Sequence, residues 1–290
     1  MAKFMPRRIL CPVDFSDYSA TALQIAGYLA QSFDAEIRVF HAQRFDAPVY
    51  FTSAQLQSLK KQLRRSLRGA REFLEDFANR HLPDNVRRSM RLVEGDPVDA
   101  ILDAHKEWDA DLLVMATHGR TGLTRIRLGS VMESVLRQIK GFVLTVGPGI
   151  TTSPGPIRRI LSPVDFSELS QAVLGLSVDI AQQTDAEVTV LHASERAARE
   201  GPDMAAALCE WISPEARARC RLREFVREGK ASETIVSEAK KARADLIVLG
   251  AAPRGYLGQL VFGSTTEAVI RMAPCPVLSV IRAPRGRVSS

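Results

Sequence analysis

The chain is written twice. Ile9-Leu10-Cys11-Pro12-Val13-Asp14-Phe15-Ser16 returns as Ile160-Leu161-Ser162-Pro163-Val164-Asp165-Phe166-Ser167, 151 residues later. The same offset relates Asp34-Ala35-Glu36-Ile37 to Asp185-Ala186-Glu187-Val188. Further on, Glu94-Gly95, Asp111-Leu112 and Gly129-Ser130 reappear as Glu228-Gly229, Asp245-Leu246 and Gly263-Ser264, now 134 residues away, so the second copy is 17 residues shorter between Ala193 and Glu228. A repeat of ~150 residues has the size of one domain. The 290 residues therefore read as two related domains, 1–150 and 151–290, meeting at a short stiff linker, 151–156, that contains Pro154 and Pro156.

Within each copy, short apolar runs alternate with amphipathic stretches, the pattern of βαβ units around a parallel sheet. Five strands are expected in the first copy, at 8–13, 36–41, 86–93, 111–116 and 142–146, with helices at 16–32, 52–80, 97–106 and 129–139. The second copy repeats the strands at 158–164, 187–192, 220–227, 245–250 and 277–281, and its second helix, 203–212, is the shortened piece. In the long helix of the first copy, Leu56, Leu59, Leu63, Leu67, Ala70, Leu74 and Phe77 form one apolar stripe and Lys60, Lys61, Arg64, Arg65, Arg68 and Arg71 occupy the remainder. A helix is required there by the βαβ unit, so a covering helix with a solvated basic face is favoured over a membrane-surface or nucleic-acid helix.

Composition removes several classes. Hydrophobic residues at 46% and charged residues at 25% describe an ordinary globular chain, not a disordered or fibrous one. The net charge of +6 is divided between the copies as +4 and +2, which leaves small anionic ligands in play but supplies no nucleic-acid arm. No apolar run reaches the ~18 residues of a membrane span. Cys11, Cys209, Cys220 and Cys275 form neither a CxxC pair nor a dense disulfide framework, so a reducing cytoplasmic setting is expected. Neither copy has a GxSxG nucleophile elbow, and the five histidines make no metal-binding cluster.

Chemistry is expected where the copies agree. In an open α/β sheet, ligands sit beyond the carboxyl ends of the strands at the point where strand order reverses, which singles out the residues after the first and fourth strands. After the first strand, Asp14 and Asp165 can accept hydrogen bonds from a base or ribose, and Ser16 and Ser167 can cap the next helix. After the fourth, Met115-Ala116-Thr117-His118-Gly119 leads through a loop carrying Arg120, Arg125 and Arg127 to Gly129-Ser130-Val131. Glycines let backbone amides approach phosphate oxygens, and a helix opening at Ser130 would favour an anion. Neither a Walker A loop nor a first-strand GxGxxG is present.

With these residues on view, the chain resembles the universal stress protein family in its tandem two-domain form. The resemblance rests on the Pro-Val-Asp-Phe-Ser opening, His41-Ala42, the Thr-His-Gly-Arg-Thr-Gly-Leu loop, Gly-Ser at a helix start, and Ala273-Pro274-Cys275-Pro276-Val277-Leu278. It implies α/β architecture: two tandem Rossmann-like domains of the adenine nucleotide alpha-hydrolase type, each a five-stranded parallel sheet of order 3-2-1-4-5 flanked by helices. It also implies dimer-like packing of the two halves, with a homodimer of chains as a further option, and a nucleotide-binding branch that holds ATP with G-x2-G-x9-G-[ST].

By matching positions, Pro12, Asp14 and Ala42 would hold adenosine, Met115 and Ala116 would line base and ribose, and Gly119, Gly129, Ser130 and Val131 would hold phosphates. Ala116 stands where that branch has its first glycine. The second copy keeps Asp165, Gly250, Gly263 and Ser264, but Pro253 replaces the second glycine and removes an amide donor, so its site is expected to be weaker or empty. The expected ligand is ATP, with or without magnesium, or AMP or ADP, held as a regulatory ligand with no catalytic residue. A slow ATPase and a nucleotide-free interaction scaffold remain open beside that reading.

Overall fold

The computed structural model describes residues 4–44, 53–119, 128–150, 155–195, 197–251 and 263–281. The first half runs β1 (Arg8–Pro12), α1 (Asp17–Phe33), β2 (Glu36–Gln43), α2 (Ser53–His81), β3 (Arg88–Glu94), α3 (Pro97–Glu107), β4 (Leu112–Ala116), α4 (Ser130–Gln138) and β5 (Gly141–Val146). The second continues with β6 (Arg159–Val164), α5 (Glu168–Thr184), β7 (Glu187–Ser194), α6 (Ala197–Trp211), α7 (Pro214–Arg219), β8 (Arg221–Glu228), α8 (Ala231–Lys241), β9 (Leu246–Ala251), α9 (Ser264–Met272) and β10 (Val277–Ile281).

The order within each half is 3-2-1-4-5, but the two sheets are not separate. They fuse into one ten-stranded sheet, β3-β2-β1-β4-β5-β10-β9-β6-β7-β8. All the strand pairs are parallel except the seam, where β5 and β10 run antiparallel with Leu144 opposite Leu278. Helices cover both faces, so the strands at the seam are mostly apolar and buried on both sides: Val277, Leu278, Val280 and Ile281 are all buried, and so are the hydroxyl residues Thr145 and Ser279 among them. On one face a continuous core joins Leu23 of α1 to Val173 of α5, and on the other Leu136 of α4 joins Val269 of α9. The halves thus share their cores across a pseudo-two-fold axis.

Two polar straps reinforce the seam. The backbone N–H of Phe4, ahead of β1, donates to Asp179 Oδ2 on α5 of the other half at 2.8 Å. In return the N–H of Ile157, ahead of β6, donates to Tyr28 Oη on α1 at 3.2 Å. Tyr28 and Asp179 stand 151 residues apart, the repeat offset.

The shortened region departs from expectation. A single helix over 203–212 is expected, whereas the chain forms α6 and then a second helix, α7, opened by Ser213 as its N-cap and Pro214 at its start. Pro214 ends α6 and suits the first turn of the next helix, where its missing N–H costs no hydrogen bond. In α2, Leu74 and Phe77 are buried while Arg68 and Arg71 are exposed, which is the covering-helix arrangement. Among the described residues, no helix is long and apolar enough to cross a membrane.

Candidate functional site

Strand β1 pairs with β2 on one side and β4 on the other, so the strand order reverses at their carboxyl ends. There the chain leaves β1 through a strained turn. Phe15 takes φ 65°, a left-handed conformation unfavourable for a bulky side chain, and Phe166 repeats it at φ 61°. Ring contacts hold the turn: the Phe15 ring centroid lies 4.4 Å from that of His41, tilted, and 5.4 Å from that of Phe77, edge-on. His41 Nδ1 donates to Val13 O at 2.7 Å, and the Val13 amide donates to Phe40 O at 2.8 Å.

This turn sets Asp14. Its Oδ1 accepts from the Ser16 amide at 3.1 Å and from Ser16 Oγ at 2.6 Å, while Ser16 Oγ accepts from the Ser19 amide at 3.2 Å and caps α1. Asp14 Oδ2 lies only 2.6 Å from where a Cβ on Gly119 would be, so the carboxylate rests against that glycine.

Opposite stands the start of α4. The Gly129 amide donates to Thr117 O at 2.8 Å, and the first helical bond joins the Glu133 amide to Gly129 O at 2.9 Å. The amides of Ser130, Val131 and Met132 precede that bond and have no acceptor within the helix, and no side chain caps the end. The Gly129 amide is thus already bonded, while those of Ser130, Val131 and Met132 remain to meet a ligand. His118 is buried, with Nδ1 2.9 Å from Thr117 Oγ1.

Between these elements lies a cavity of about 290 Å³. It brings together Pro12, Asp14, Ala42, Met115, Ala116, Gly119, Gly129, Ser130 and Val131, every position selected from the first copy. It also takes Phe40, Pro97 and Ile101, which sequence reasoning missed, and His118, which it placed in the loop after the fourth strand without a role. Pro97 carried a signal, since Asp96-Pro97 is a helix-start pair whose Asp96 Oδ1 accepts from the Val98 amide at 2.9 Å. Arg120, Arg125 and Arg127 lie outside the described residues, as do Pro253, Gly255 and Gly258 of the second copy.

The second copy arranges its counterparts differently. Asp165 Oδ1 accepts from the Ser167 amide at 3.1 Å, from Ser167 Oγ at 2.5 Å and from Ser170 Oγ at 2.5 Å. Burial alone would push this carboxyl up, but those hydrogen bonds outweigh it and hold it below the ordinary aspartate value. Leu169 lies across Gly250, its Cδ2 and Cγ 2.7 Å from where a Cβ would be. The equivalent first-copy residue, Tyr18, instead leans toward His118, with rings 6.1 Å apart. Gly263 and Ser264 open α9 without a side-chain cap, as in the first copy.

Among the described residues, no group of three or more His, Cys, Asp or Glu side chains is placed to hold a metal ion. The buried thiols are poor nucleophiles: burial pushes Cys11 far up and carries Cys275 to about 12.

The universal stress protein family model matches residues 5–147 and again residues 156–280. The chain belongs to the universal stress protein family. A universal stress protein of Mycolicibacterium smegmatis is 23% identical over 293 residues, covering 94% of this chain and 96% of the relative. One from Synechocystis is 30% identical over 148 residues, 48% of this chain and 96% of its own length. Among solved structures, a universal stress protein from Archaeoglobus fulgidus superposes with a TM-score of 0.70 at 21% identity, covering 96% of this chain and all of that one, which shows a shared fold. This universal stress protein thus carries the family's unit twice.

Proposed function

We propose that this universal stress protein binds one adenine nucleotide per chain, as a regulatory ligand, in its first half. Base and ribose lie among Pro12, Asp14, Ala42, Met115 and Ala116, and the phosphates approach Gly119 and the amides of Ser130 and Val131. The observation that carries this reading is the cavity itself, where a carboxylate suited to ribose hydroxyls faces an uncapped helix start suited to an anion. The second half is closed to the same ligand because Leu169 covers Gly250 and three donors already occupy Asp165 Oδ1.

Calorimetric titration of the full chain with ATP, ADP and AMP tests both parts. The expected result is one site per chain, weakened about tenfold or more by Asp14→Ala, an energy of ~1.4 kcal/mol, and unaffected by Asp165→Ala. Two equal sites would overturn the asymmetry, and no binding of any of the three nucleotides would overturn the reading as a whole.

A further inference from the structure

The pseudo-two-fold axis is imperfect at one place. On the first-half side, Phe4 packs edge-on against Phe33 and Phe142, with ring centroids 5.7 and 5.0 Å apart. The repeat offsets put Gly155, Thr184 and Pro276 at the corresponding positions of the second copy. Three aromatic rings are thus replaced by three smaller residues, and a cavity of about 360 Å³ lined by two of them, Gly155 and Pro276, lies between the halves. Its wall is mainly apolar, with Leu29, Leu144, Ile180 and Leu278 among the lining residues.

Two donors mark its polar end. Tyr28 Oη accepts from the Ile157 amide at 3.2 Å, which leaves its own O–H to donate. The next residue, Arg158, also lines the cavity, and its guanidinium has no partner among the described residues. The neighbouring charges cancel: Asp245 Oδ1 pairs with the Arg159 guanidinium at 3.1 Å, and Asp245 Oδ2 accepts from the amides of Arg158 and Arg159 at 3.0 and 2.9 Å. One uncompensated positive charge therefore sits at the rim of a mainly apolar cavity.

We propose that this cavity is a second ligand site, distinct from the nucleotide site, that takes a medium-chain acyl carboxylate, its chain between the halves and its head group on Arg158 and Tyr28. At ~30 Å³ per water-sized group, the volume admits about a dozen such groups, which suits a saturated chain of about ten carbons. Burying each methylene strengthens binding about fourfold.

The test is calorimetry of the full chain with hexanoate, octanoate and decanoate below their micellar concentrations, and with decanol as the uncharged analogue. One site per chain is expected, with affinity rising about fourfold per methylene, decanol at least tenfold weaker than decanoate, and Arg158→Gln removing that difference. Arg158 is exposed, so this variant keeps the fold. Absence of binding, or affinity indifferent to chain length, would overturn the site. Equal binding of decanol and decanoate to the unaltered protein would overturn the anionic head group.

Discussion

At the scale of single residues, the candidate site turns on the contact between Asp14 and Gly119. The carboxylate is anchored through Oδ1 to Ser16, so a methyl group on Gly119 meets Oδ2 at 2.6 Å and must push it aside. Gly119→Ala is expected to leave the thermal midpoint within a few degrees, since only the end of one side chain moves. Nucleotide affinity should fall about tenfold, ~1.4 kcal/mol, measured by titration beside the unaltered chain; unchanged affinity would show that Asp14 does not meet the ligand. Asp14 and Gly119 were legible because both sit in motifs that a glycine-rich loop and a repeated turn make conspicuous. Phe40 and Ile101 were not, since each looks locally like a core residue and reaches the cavity only through strand pairing and helix packing. Leu169 was invisible for the same reason: nothing in Ser167-Glu168-Leu169 signals that the leucine covers Gly250, 81 residues later.

At the scale of elements, the two copies act as controls for each other. Helix α3 is capped by Asp96 at φ −66°, ψ 129°, and its counterpart α8 begins at Lys230 with nearly the same backbone, φ −66°, ψ 126°, but no side-chain cap. An aspartate at 230 therefore fits without backbone change, accepts from the second amide of the helix and replaces a cation at the positive end of the dipole. The exposed pair that Lys230 makes with Glu233 at 3.4 Å is a small loss. Lys230→Asp is expected to stabilise the protein by ~1 kcal/mol, raising the thermal midpoint by about 2 °C in a melt followed by circular dichroism; a lower midpoint would refute the cap. Strand and helix positions were legible through periodicity and the repeat itself. The split of α6 from α7 could also have been read, from Ser213-Pro214, a cap followed by a proline.

At the scale of the whole molecule, the antiparallel seam was the least legible feature. The runs at 142–146 and 277–281 are apolar but for Thr145 and Ser279, and such a run shows that a strand is buried but not which strand lies beside it. The seam has a mechanical consequence, because both cores cross it and the straps at Phe4–Asp179 and Ile157–Tyr28 tie each half to a helix of the other. Neither half can unfold without exposing the β5 or β10 face of its neighbour, so the chain should lose its structure in one step. The sequence supplies probes for this, since its two tryptophans, Trp108 and Trp211, fall one in each half. In Trp108→Phe and Trp211→Phe variants, the remaining tryptophan reports on one half alone, and urea midpoints measured in an otherwise identical background are expected to coincide. Asp179 adds a second arm, as it also accepts from Arg219 at 2.6 Å and is nearly buried. Asp179→Ala leaves the Phe4 amide without an acceptor and the Arg219 guanidinium with Gln182 alone, at a cost of about 1–3 kcal/mol, and should lower both tryptophan midpoints together. A shift confined to Trp211 would mean that the halves unfold separately and that the ten-stranded sheet is two mechanical units.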